Sequence, residues 1–173
     1  MLKRPIIMDV DTGVDDTLAL LLVAGSDKLD LKAITTVFGN SSVEDTTKNT
    51  LKICELLKLD VPVAAGAYRP VIDPPIDYSI APMVDIHGRD GLGNVGNRLP
   101  EPTKQVENMP AVDLMAKAVR ESEEKVTIVA TAPLTNIATS PRSRSPTASV
   151  LLTTTSPACC WMPTALIPRR MSR

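Results

Sequence analysis

Aromatic residues are scarce. Phe38, Tyr68, Tyr78 and Trp161 are the only four in 173 residues, which leaves little ring surface for stacking on a planar ligand. Cysteine is scarce as well. Cys159 and Cys160 are adjacent and Cys54 stands alone, so neither a disulfide framework nor a metal-ligand spacing is present. Cys54 reads instead as a small apolar residue on a helix. No long hydrophobic run exists: the longest, Leu18 to Ala24, is far too short to span a bilayer. At the N-terminus, Lys3 and Arg4 are followed by only Ile6, Ile7 and Met8 before Asp9, too little for a signal-peptide core. A formal net charge of −1 supplies no basic field for nucleic acid or an anionic membrane. A cytoplasmic protein with no nucleic-acid or membrane partner is the default expectation.

Acidic residues are also missing from one stretch altogether. Glu124 is the last, and Thr139 to Arg173 contains neither Asp nor Glu but five Pro and five Arg. No helical or strand period survives there. The expected organisation is therefore a folded unit over 1–138 and an aberrant tail over 139–173 without packed structure. That tail reads as a disordered basic extension or, better, as the product of a frameshift in a GC-rich gene.

Before residue 138 the pattern is ordinary α/β. Strands are expected at Pro5 to Val10, Leu31 to Phe38, Val61 to Ala65 and Lys125 to Thr131, from short apolar or β-branched runs. Helices are expected at Asp15 to Ser26, from Ser42 with Asp45 as a capping pair, and from Asn108 with Pro110 in the first turn. Residues 66–108 are rich in Pro and Gly and read as a long loop. Strands alternating with helices imply an open, largely parallel sheet with helices on both faces. Ligands of such sheets bind beyond the carboxyl ends of the strands, so the loops after Val10, Phe38 and Ala130 should converge.

The chemistry concentrates in Asp9-Val10-Asp11-Thr12-Gly13-Val14-Asp15-Asp16, four carboxylates in eight positions. Asp9 and Asp11 share a face if the strand continues, Gly13 permits a turn, and Asp15 and Asp16 open a helix whose dipole favours negative charge. Carboxylates this close repel or take up protons unless a cation sits among them. All-oxygen donors suit calcium or magnesium rather than zinc. The plainer alternative is a set of solvated turn and cap residues. An EF-hand is excluded by spacing, because Gly13 falls at loop position five and Leu20 stands where that loop needs Glu.

The run Asp9, Asp11, Gly13, Asp15, Asp16 resembles the N-terminal Asp-x-Asp-x-Gly-x-Asp-Asp signature of the nucleoside hydrolases. Three more blocks resemble that family in order and spacing: Ala33 to Asn40, Ile86 to Gly93, and Thr131 to Ala138. The resemblance covers about residues 5–138 and implies a Rossmann-like, here truncated, nucleoside hydrolase fold. It implies calcium as cofactor, a ribonucleoside as substrate, and a homodimer or homotetramer for the intact family member. It further implies roles: Asp11 as calcium ligand and general base toward water, Asp16 as calcium ligand, and Thr131 as a carbonyl ligand. Asp15 would bind a ribose hydroxyl, Asn40 would line the ribose pocket, His87 would lie on the closing loop, and Asp9 would support the metal site from behind.

Taken singly, the lesser residues have plainer readings. Asn40 is a turn residue after a strand, Thr131 a strand end, Asn136 a stabiliser of the following turn, and His87 a polar loop residue. The family's further aspartate, catalytic histidine and ribose-contacting asparagine and glutamate have no counterpart after Glu124, so weak or absent hydrolysis is expected of this chain. Thr12 replaces a frequent proline, and Ala132 stands where glycine is common, which predicts strain beside Thr131. Two rivals remain: an inert fragment or calcium- or ribose-binding relative, and an Asp-nucleophile phosphatase of the haloacid-dehalogenase type, whose motif also begins Asp-x-Asp. A sheet ending at the fourth strand would expose an apolar edge and lower solubility.

Overall fold

The computed structural model describes residues 3–71, 84–140 and 148–152. Tyr78, Cys159, Cys160, Trp161 and most of the stretch expected to be aberrant lie outside these residues. Five strands form one sheet in the order β3-β2-β1-β4-β5: β1 Arg4–Val10, β2 Leu29–Thr36, β3 Val63–Ala65, β4 Val126–Ala130 and β5 Ala148–Leu152. Every neighbouring pair is parallel. The helices are α1 Val14–Ala24, α2 Val43–Leu57, α3 Val84–His87, α4 Ala111–Glu121 and α5 Thr135–Thr139.

Strand alternation sorts the core onto two faces. Ile6, Met8 and Val10 of β1 pack with Leu20 of α1 and with Leu51, Ile53 and Cys54 of α2. Ile7 points the other way and packs with Ala111, Leu114, Met115 and Val119 of α4. Helices therefore cover both faces, as the element pattern requires. The chain runs outward from β1 through β2 to β3, then returns over the opposite face through α4 to β4. That reversal between β1 and β4 is the switch point where doubly wound sheets place their sites.

Three expectations are corrected. First, β5 lies beyond residue 138, where no packed element was expected, and it pairs with β4 from Val126↔Ala148 to Ala130↔Leu152. Its five residues form a short apolar run whose signal is drowned by the Pro- and Arg-rich composition around it. The sheet consequently does not end at the fourth strand. Second, α4 starts after Pro110, which is itself the N-cap in an extended conformation (φ −60, ψ 148), rather than after Asn108. Third, the expected loop of 66–108 includes α3 and a 3-10 turn at Gly96–Arg98. Among the described residues no helix is long and apolar enough to cross a membrane.

Candidate functional site: a buried carboxylate cluster

The loops after β1, β2 and β4 meet at the carboxyl ends of the central strands. Asp9 is the penultimate residue of β1 and completely buried. Its Oδ1 accepts from Thr35 Oγ1 at 2.7 Å and from Asn136 Nδ2 at 2.8 Å, while Oδ2 is buried with no hydrogen-bond partner. Burial, against the lowering effect of those two donors, pushes its pKa up to about 7.

Asp11, just past the strand, is equally hidden. Its Oδ2 accepts the Asn40 amide at 2.8 Å, and Asn40 Nδ2 returns a bond to the Asp11 carbonyl at 3.0 Å. Gly39 permits this approach, because a Cβ there would collide with Asp11 Oδ2. Burial and then the neighbouring charge of Asp16 hold the Asp11 carboxyl well above the usual carboxylate range. Asp16 reaches the same place from the first turn of α1. Its Oδ2 accepts the Gly13 amide at 3.2 Å and its Oδ1 accepts Thr131 Oγ1 at 2.6 Å. Burial raises Asp16 to about 6 despite the hydrogen bond from Thr131.

Thr131 is tied down a second time, its amide donating to the Asp9 carbonyl at 3.0 Å. Asp15, by contrast, is exposed on the outer side of the turn, its Oδ1 3.9 Å from His87 Nδ1. His87 is buried, and its Nδ1 accepts the Val14 amide at 3.2 Å. That contact orients the imidazole, turning Nδ1 toward the start of α1. Gly13 lies between these groups: a Cβ would stand 2.6 Å from Asn40 Nδ2 and 2.7 Å from His87 Nδ1.

The structure thus brings Asp9, Asp11, Asp16, Asn40 and Thr131 into one cluster, with Asp15 and His87 at its rim. Two further residues take part. Asn136 does more than stabilise a turn: it is 1% exposed and joins β1, β2 and the loop after β3, its Nδ2 donating to Asp9 Oδ1 and to the Thr36 carbonyl at 2.9 Å, its Oδ1 accepting the Ala67 amide at 2.9 Å. Thr35, a residue of β2, is the second donor to Asp9 Oδ1. A polar residue pointing inward from a buried strand end was the available signal. Ala132, expected to be strained, is buried against Val37 and Phe38, and the only non-glycine residues with positive φ among those described are Lys58 and Asn94. Thr12, where proline is frequent, bonds Thr50 Oγ1 at 2.6 Å and ties the turn to α2.

This donor set fits a hard cation in part. Asp11 and Asp16 are desolvated and all-oxygen, the charge of Asp16 raises the Asp11 carboxyl, and a divalent cation relieves that conflict. Among the described residues no set of three or more His, Cys, Asp or Glu side chains is arranged to hold a metal ion, so the pair with Thr131 is an incomplete shell. The phosphatase alternative fails on geometry. Its nucleophile would be Asp9, whose carboxylate is sealed from solvent and gripped by Thr35 and Asn136.

Fold and site together define a doubly wound α/β protein with an aspartate cluster at its switch point. The chain belongs to the inosine-uridine preferring nucleoside hydrolase family, whose sequence model matches residues 6–151. It is 46% identical over 135 residues to the pyrimidine-specific ribonucleoside hydrolase RihA of Escherichia coli O1:K1 / APEC, covering 78% of this chain and 41% of that protein. Among solved structures it is similar to the purine-preferring ribonucleoside hydrolase from Gardnerella vaginalis (TM-score 0.77, 30% identity), covering 86% of this chain and 48% of that one. The plant nucleoside hydrolase PpNRh1 follows with a TM-score of 0.75, 28% identity and coverage of 87% and 48%. The chain therefore spans less than half the length of these relatives. The family match also runs past residue 138 and takes in most of β5.

Proposed function

We propose that this chain carries the calcium- and ribose-facing part of a ribonucleoside hydrolase site, in which water cleaves the N-glycosidic bond to give ribose and a free base. The observation that carries the reading is the pair Asp11–Asp16: two buried carboxylates, each oriented by backbone amides or a hydroxyl, at the switch point of a nucleoside hydrolase fold.

Asp11 and Asp16, with the Thr131 carbonyl, would hold calcium. When bound, the ion orients a water molecule and lowers its pKa only modestly. A base is still required, and Asp11 is the candidate; the Asn40 amide on its Oδ2, which fixes the carboxylate's orientation, supports that role. Breaking the glycosidic bond leaves positive charge on the ribose ring, which the anionic cluster stabilises. Asp15, exposed at the rim, is the residue for a ribose hydroxyl. Asn40 would line the same pocket, and His87, 3.9 Å from Asp15, would close over the substrate. Asp9 touches none of the reacting groups in this scheme; through Thr35 and Asn136 it fixes the ends of β1, β2 and α5 relative to one another.

The test is calorimetric titration of the purified chain with calcium, followed by an assay for ribose release from inosine and uridine. Calcium binding that disappears in Asp11→Asn, with slow or undetectable release, is the expected result. Failure of the chain to bind calcium would remove the reading. Rapid calcium-dependent turnover would show that the residues of this chain suffice for catalysis.

A further inference from the structure

The glycine-rich segment after His87 is strapped to the outer side of α2 by residues that take no part in the carboxylate cluster. Asn49 Nδ2 donates to the Asp90 carbonyl at 2.8 Å. Lys52 Nζ donates to the Gly96 carbonyl at 2.9 Å and pairs with Glu101 at 2.9 Å. The Lys52 side chain is only 8% exposed, and lysine is almost never buried unless its ammonium is matched. Between these two anchor points the segment is internally tied: the Asp90 carboxylate accepts the amides of Leu92, Asn94 and Gly96 at 2.9, 2.8 and 2.8 Å. Gly91, at φ +74, sits so close that a Cβ would lie 2.8 Å from Asn49 Nδ2. The same unit reaches His87, whose carbonyl accepts the Gly93 amide at 2.7 Å. Moving the segment would therefore move the histidine.

We propose that Lys52, together with Asn49, is a positioning residue that locks the Gly88–Gly96 segment onto α2 and so sets where His87 stands against Val14 and Asp15. The proposal rests on the hydrolase reading only for the use made of His87; the clamp can be read without substrate.

His87 is the single histidine of the chain, so histidine-selective ¹⁵N labelling reports on it alone. In the full chain its Nδ1 should show the signal of a ring nitrogen that accepts an amide hydrogen bond. Lys52→Met removes the donor at similar length. The expected result is movement of the ring signals toward the mixed-tautomer values of a free histidine, with amide exchange over 88–99 faster by about tenfold and β1 unchanged. Lys52→Arg, which keeps a charged donor, should restore most of the signal. Asn49→Ala should shift the same signals and serves if Lys52→Met does not fold. Unchanged ring signals in both variants would overturn the proposal, as would loosening of β1 and the segment together, which marks a general stability role. A calcium and uridine titration of the unsubstituted chain is run beside these; loss of binding there defeats the hydrolase reading and leaves the clamp result standing.

Discussion

Thr131 donates its hydroxyl to Asp16 Oδ1 at 2.6 Å, joining residues 115 positions apart. The bond fastens the end of β4 to the first turn of α1 and faces one Asp16 oxygen toward its neighbours. Thr131→Val keeps the shape and removes the donor. It should destabilise the protein by about 1–3 kcal/mol, the cost of leaving a buried acceptor unpaired. Urea unfolding with and without calcium checks it. The loss should be smaller when calcium is present, because the cation compensates the same oxygen, and an equal loss in both conditions would argue that Asp16 does not face the ion.

Asn136 carries a larger structural load than its position after a strand suggests. Its amide satisfies Asp9 Oδ1, the Thr36 carbonyl and the Ala67 amide at once. Asn136→Ala should cost about 3 kcal/mol or more, since several buried polar groups lose partners together. Gly66 is part of the same joint, as a Cβ there would collide with the Asn136 side-chain amide. Thermal unfolding of Asn136→Ala and Gly66→Ala should show the same direction, and stability within about 0.5 kcal/mol of the unsubstituted chain would refute the joint.

Two glycines test how closely the carboxylates are cradled. A Cβ at Gly39 runs into Asp11 Oδ2, whereas a Cβ at Gly25, the C-cap of α1, would come no nearer than 3.4 Å to any atom. Gly39→Ala should therefore weaken calcium binding by at least about tenfold, by turning the Asp11 carboxylate away from its neighbours. Gly25→Ala should leave binding unchanged. Calorimetry on the two variants separates a local effect on Asp11 from a general loss of fold.

Much of this arrangement was legible in the sequence. Strand and helix order followed from apolar runs and caps, and the parallel sheet followed from their alternation. Asp9, Asp11 and Asp16 could be placed together because one strand, one glycine turn and one helix start link them within eight residues. The partners that hold them could not be placed that way. Asn40 and Thr131 follow strands that the alternating pattern expects to converge, but their bonds to Asp11 and Asp16, and the place of Asn136 on α5 beside Asp9, depend on the sheet order β2-β1-β4. Lys52 reads as solvated from its helix alone, because the segment covering it lies 44 residues further on. β5 is not legible, because only five residues keep a strand pattern inside a compositionally foreign stretch.

The segment after His87 should also respond to acid in a defined direction. Burial raises the Asp90 carboxyl, but the amides of Leu92, Gly96 and Asn94 outweigh that and hold it below the ordinary carboxylate value. A depressed native pKa stabilises the segment fully above the unfolded value of about 4, and that contribution is lost as pH falls through the native value. Amide exchange over 91–96 should therefore hold its protection between about pH 5 and 7 and lose it below about pH 4. Asp90→Asn removes the anionic acceptor at every pH, so its segment should exchange faster throughout and show no step. Local exchange is the proper measure, because the buried carboxylates Asp9, Asp11 and Asp16 are raised and act on global stability with the opposite sign. A segment whose protection falls already between pH 5 and 7 would mean that a group other than Asp90 holds it.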